Sequence, residues 1–216
     1  MMNSTMRPLL AAGALLWSML AGADTSRFDA ELALLQQQWA IANYRIADPG
    51  ERQRAFETVS DSAHQLTLAN PERAEAMIWE GIVLSTYAGV KGGLGALSLA
   101  KKSRALFEAA LKIDPTALDG SAYTSLGILY AKVPGFPLSF GDDAKARELL
   151  LRALAIDANG IDQNFFYAQF LCDRHRCAQA LPYLEKAAAA PPRAGREVAD
   201  IGRKREVMEL MAKAKG

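Results

Sequence analysis

Cysteine and histidine are scarce, each occurring only twice in 216 residues. Two cysteines are too few for a fold built on disulfides. An excess of charge of one sign is also missing, since 25 Lys and Arg face 24 Asp and Glu. A nucleic-acid binder would show a clear basic surplus, so that class is set aside. What is present is 50% hydrophobic residues with 16 Gly and 9 Pro, the balance of a folded chain of one domain. Abundant Ala and Leu favour helices, because these side chains lose little entropy there.

Residues 1–23 read as a secretory leader. Arg7 supplies the positive start, Leu9 to Leu20 the apolar stretch, and Ala21-Gly22-Ala23 a small-x-small cleavage site. The apolar run is shorter than the roughly 20 residues of a membrane span, and no cysteine stands ready for lipidation. The expectation is a cleaved leader, a bacterial periplasmic location and a domain over 24–216 with no membrane span.

One spacing recurs along that domain: a small residue, a bulky one four later, Ala three further on, then a helix stop. Ser103, Phe107, Ala110, Pro115 and Ala180, Leu184, Ala187, Pro192 carry it; Ala146, Leu150, Ala153, Ala158 carry it with Asn159-Gly160 as the stop. Positions i, i+4 and i+7 share one helix face, where small side chains let a neighbouring helix approach. A second pattern follows each stop, best seen in Tyr123, Leu126, Gly127 and Tyr130, and more weakly in Met77, Glu80, Gly81 and Leu84. Two helices per unit, each with a small residue at the crossing, make a hairpin that must stack on its neighbours to bury its face.

The unit resembles the tetratricopeptide repeat. The spacing predicts helices over 27–47, 51–69, 72–88, 97–113, 119–132, 142–157, 162–174, 177–190 and 196–214. The expected fold is all-α: stacked helical hairpins over 27–71, 72–115, 118–158 and 161–192, in a tetratricopeptide-like right-handed solenoid, with a capping helix over 195–216. Arg196, Arg203, Lys204, Arg205 and Lys213, interleaved with Glu197, Asp200, Glu206 and Glu209, read as the solvated face of that cap.

Stops at Pro71, Pro115, Ala158 and Pro192 give intervals of 44, 43 and 34 residues. Against a repeat of about 34 residues, the first two carry insertions. These are the glycine-rich 88–95 and the segment 133–141, both between the helices of a hairpin and so expected on one edge of the stack. Phe136 and Phe140 in the second are expected either to fold back on their own helices or to cover an apolar pocket. The Lys91 segment lacks the Gly-Lys-Ser/Thr ending and the preceding strand of a phosphate loop.

Cys172 and Cys177 flank the turn of the last hairpin. A disulfide across that turn is one reading, and a metal held with His175 the other; a redox pair would have two intervening residues. His64 beside Asp61 has no nucleophile or second histidine with it. No catalytic residue, metal or cofactor is assigned. The candidate binding surface is the first helix of each hairpin, one turn apart: Ile78, Ile82, Ser85; Thr124, Ile128, Ala131; and Phe165, Gln169, Cys172. Its uncharged character suits a peptide or amphipathic helix.

Leu126-Gly127-Ile128-Leu129-Tyr130, leading into Pro134-Gly135-Phe136-Pro137 and Phe140-Gly141-Asp142, together with the leader and the divergent hairpins, resembles the T-component family of tripartite ATP-independent periplasmic transporters. The resemblance spans roughly residues 71–192. It implies an all-helical periplasmic protein with cryptic repeats that associates with the transporter's solute-binding protein. The function expected is thus a non-enzymatic interaction scaffold with a protein or peptide partner. A small-molecule carrier with an apolar pocket under the two loops, or an envelope-assembly adaptor, stands as the alternative.

Overall fold

The computed structural model describes residues 11–215, with side chains from Thr25 onward except that of Leu94. The first ten residues of the expected leader lie outside the described residues, and no side chain of 1–23 is described. Nine helices run through the described residues: α1 Ala11–Tyr44, α2 Pro49–Ala69, α3 Ala74–Lys91, α4 Gly93–Ile113, α5 Ala117–Lys132, α6 Asp143–Ile156, α7 Ile161–Asp173, α8 Cys177–Ala189 and α9 Glu197–Lys215. There is no β-strand among them, and none is long and apolar enough to cross a membrane.

Local chemistry sets several of these ends. The Asp48 carboxylate accepts from the Glu51 amide at 2.7 Å, with Pro49 in the first turn of α2. Asp142 does the same for α6, accepting from the Lys145 amide at 2.9 Å. Each occupies an amide the helix leaves unpaired, and proline costs nothing in the first turn because its missing N–H has no partner there.

The helices pack as the hairpins α1/α2, α3/α4, α5/α6 and α7/α8, the stacked all-α arrangement expected from the repeat. The small-residue spacing marks the crossings. A Cβ at Gly81 would sit 2.5 Å from the Phe107 ring, and one at Gly127 would sit 2.8 Å from Leu150. Phe107, Ala110, Leu150, Ala153, Leu184 and Ala187 are all buried. Ser103, first in its spacing, donates to the Gly81 carbonyl at 2.7 Å, so the polar atom buried at that crossing has a partner. Fully burying a side chain such as Phe107 stabilises the fold by about 2 kcal/mol.

The expected insertion at 88–95 is not a loop. Helices α3 and α4 extend into it, leaving Gly92 alone between them with φ 63°, a value that glycine adopts without steric cost. The other insertion is real. Segment 133–142 is held at its base by Gly141, whose amide donates to the Pro134 carbonyl at 2.9 Å, and by Asp142, whose amide donates to the Tyr130 carbonyl at 3.1 Å.

Helix α9 caps the last hairpin but does not end an open array. Besides α8 it packs on α7 and on α1, while α1, α3, α5 and α7 contact one another in order. The first helices of the hairpins and α9 therefore close into a five-membered inner ring, with α2, α4, α6 and α8 outside it. Arg203 and Asp200, expected on a solvated face, are buried at 7% and 6% exposure because that side of α9 faces the ring.

Candidate binding cavity

The inner ring and α4 surround a cavity of about 1070 Å³. Gln36 and Trp39 of α1, Trp79, Ile82, Ser85 and Thr86 of α3, Ala96 and Leu97 of α4, and Thr124, Ser125 and Ile128 of α5 form most of its wall. Trp39 and Trp79 meet edge to face with centroids 5.7 Å apart, a favoured aromatic geometry. The Trp39 indole N–H donates to Thr86 Oγ1 at 3.1 Å, which fixes the ring's rotation. Pro134 and Leu138 bring the loop 133–142 to the rim.

A second, smaller cavity of about 320 Å³ adjoins the first. Trp39, Thr86, Phe166 and Arg203 line both and form the partition between them. Phe165, Gln169, Tyr44 and Glu206 face the smaller one.

Several expected binding residues are brought together here. Ile82, Ser85, Thr124 and Ile128 line the main cavity, and Phe165 and Gln169 line the smaller one. Ile78 does not: it is fully buried in the core with Phe107 and Leu126. The inward face of α3 follows Trp79, Ile82 and Thr86, so the expected stripe through Ile78 was rotated outward at its first position. Neither Phe136 nor Phe140 covers the cavity. Phe136 is 93% exposed, and Phe140 lies edge to face on Tyr130 under the Arg104 guanidinium. Leu138 takes the rim position between them.

Cys172 and Cys177 form a disulfide across the α7–α8 turn, away from both cavities. His64 Nδ1 lies 2.8 Å from Glu80 Oε1, where α2 meets α3. Among the described residues no group of three or more His, Cys, Asp or Glu side chains is arranged to hold a metal.

The end of the cavity nearest α9 is charged. Asp162 of α7 receives Arg203 Nε at 2.7 Å on one oxygen and Arg193 at 2.7 Å on the other. The Arg193 guanidinium also donates twice to Asp200, at 2.8 and 2.6 Å, its backbone amide donates to the other oxygen at 2.7 Å, and Arg203 donates to Glu206 at 2.6 Å. Burial alone would raise the Asp162 carboxyl, but the Arg203 and Arg193 charges outweigh it and hold it down at about 2. Arg203 lies over the Phe165 and Phe166 rings at 4.5 and 4.3 Å, so its flat faces are covered while its edge is paired. The Tyr44 hydroxyl donates to Glu206 at 3.2 Å, and burial pushes the phenol up to about 12. This network ties α1, α7 and α9 together at the seam of the ring.

The sequence reading missed Trp39, Trp79, Phe166 and the Arg193–Arg203 group. One signal was available: Arg196, Asp200 and Arg203, at i, i+4 and i+7, share a helix face like the apolar residues of the repeat.

No protein-family model matches the chain, and no curated protein matches it significantly. The fold and cavity define an all-α protein of helical hairpins closed into a ring around a central cavity.

Proposed function

We propose that this protein is an exported, non-enzymatic binding protein that holds one amphipathic small molecule in the chamber of its helical ring. The observation that carries the reading is the 1070 Å³ cavity, apolar along α3, α4 and α5 and polar at the α9 end. Small-molecule sites are concave, about 300–1,000 Å³, mainly apolar, with a few placed polar groups. Apolar surface left wet at this scale is a standing cost that an apolar ligand would remove. Native mass spectrometry of gently purified protein tests it. A discrete organic adduct in one-to-one ratio is expected; protein uniformly free of ligand in repeated preparations contradicts it.

The second reading is a protein-interaction scaffold, serving a transporter's solute-binding protein as the family resemblance implies. It is favoured by Phe136 and Leu138, which are 93% and 74% exposed at the tip of a loop anchored to the ring. Recovery of one partner by the wild-type protein and its loss with Phe136→Ser would support it. Equal recovery by both would count against the loop as the docking point.

A further inference from the structure

The cations at the chamber's charged end are not equally engaged. Arg193 and Arg203 are paired with Asp162, Asp200 and Glu206. Lys132, farther along the wall, is paired with Asp173 at 2.6 Å. Arg196 is the exception. Among the described residues no carboxylate pairs with it, and its Nε is buried without a hydrogen-bond partner. Asp162, whose charge acts on it, already has both oxygens occupied.

Arg196 lies on the cavity wall with its guanidinium carbon 4.8 Å from the centroid of the Trp79 ring. Burial and the Arg193 charge both work against its protonated form, yet a guanidinium keeps its proton in proteins. The Asp162 and Asp200 charges favour it, but a part-buried guanidinium without a hydrogen-bond acceptor is unfavourable, and the oxygens of a ligand would relieve it. A guanidinium fork matches a carboxylate with two parallel N–H···O bonds. A guanidinium on the wall without an acceptor calls for one head group whose oxygens it can hold, and the wall beyond it, with Trp79, Ile82, Leu97 and Ile128, calls for an apolar body.

We propose that the chamber takes a singly charged anionic amphiphile of the fatty-carboxylate type, its head group held by Arg196 and its apolar body against the α3–α5 wall. This rests on the chamber being the binding site. It adds the charge, the head-group chemistry and the residue that reads them.

The test is displacement of the neutral probe N-phenyl-1-naphthylamine by dodecanoate and by dodecanol at pH 8, with wild type, Arg196→Gln and Arg196→Lys. Wild type is expected to bind dodecanoate at least about tenfold more tightly than dodecanol, the scale of one charge-assisted contact. Arg196→Gln should erase that preference and Arg196→Lys should keep part of it, each read as the ratio of dodecanoate to dodecanol displacement within one protein, with saturable probe binding reporting an intact chamber. Equal affinity of wild type for the two dodecyl compounds, or a preference that survives Arg196→Gln, overturns the assignment while leaving the chamber as a binding site. Failure of the neutral probe to bind wild type overturns the chamber reading itself.

Discussion

Tyr44 of α1 lies directly over Gly202 of α9: a Cβ built on Gly202 would come within 2.4 Å of the phenol ring. The two residues are 158 positions apart in the chain, and their contact closes the ring. Ala199 and Val198, a turn earlier on α9, pack into the core formed by α1, α2 and α3, so the seam is apolar at one end and hydrogen-bonded at the other.

Gly202→Ala should therefore strain the seam. Tyr44 cannot move without leaving Glu206, and overpacking of this kind costs about 1–3 kcal/mol. In a chain of this size about 1 kcal/mol lowers Tm by about 2–4 °C. A melting curve unchanged from wild type would show that the seam yields freely.

The acid limb of stability should depend on Asp162. Its pKa is about 2 in the folded protein against an ordinary 3.8, so its contribution is fully present above pH 3.8 and is lost as pH falls towards 2. A shift of that size corresponds to about 2 kcal/mol. Asp162→Asn should flatten urea-denaturation stability across pH 4 to 2, and should destabilise the protein by about 3 kcal/mol at pH 7 by removing the carboxylate that Arg193 and Arg203 share. A wild-type pH slope retained in the variant would place the acid sensitivity elsewhere.

At the α3–α4 crossing, Gly81→Ala is expected to cost about 1–3 kcal/mol, because the new methyl meets the Phe107 ring. Phe107→Leu alone should also destabilise. The double variant should be less damaged than the two losses summed, since removing the ring makes room for the methyl. Strict additivity in the cycle would contradict the crossing as described.

Three consecutive residues at the start of α5, Leu118, Asp119 and Gly120, have φ of 50°, 55° and 73°. Asp119 is exposed, while its carbonyl accepts from the Gln163 side chain at 2.7 Å and so fixes the backbone there. A non-glycine residue in this region carries about 1 kcal/mol of strain. Asp119→Gly should be neutral or raise Tm by a degree or two, against the usual direction for glycine substitutions. A clear loss of stability would mean that the Asp119 side chain stabilises the turn.

The disulfide closes a short loop, for which loss of chain entropy in the unfolded state predicts about 2 kcal/mol. Reduction should lower Tm by several degrees and leave probe binding in the chamber unchanged, since Cys172 and Cys177 line neither cavity. Loss of probe binding on reduction would tie the turn to the chamber.

The repeat was legible because its crossings are local. Gly81, Ser103, Phe107, Gly127 and Leu150 lie at fixed spacings on faces that each hairpin buries against itself, and α6, expected over 142–157, spans Asp143–Ile156. The segment 88–95 misled because glycine propensity is a weak determinant: Gly89, Gly93 and Gly95 lie within helices whose packing outweighs it. The chamber was half legible. Ile82, Thr124 and Ile128 follow from helical period, but Tyr44 meeting Gly202 does not, because nothing in a local pattern tells the ends of an array that they touch. The charges from Arg196 to Glu206 misled for a related reason. Alternating signs look the same on a solvated face and in a buried network, and only closure of the ring decides between them.

The most direct measurement is energy transfer from Trp39 and Trp79 to N-phenyl-1-naphthylamine, in wild type and in Ala96→Phe and Ser125→Phe, which fill the chamber from α4 and from α5. The account predicts saturable one-to-one quenching of tryptophan emission in wild type and at least about tenfold weaker probe binding in both variants. Probe binding that is absent from wild type, or indifferent to both fillings, would contradict a binding chamber within the ring.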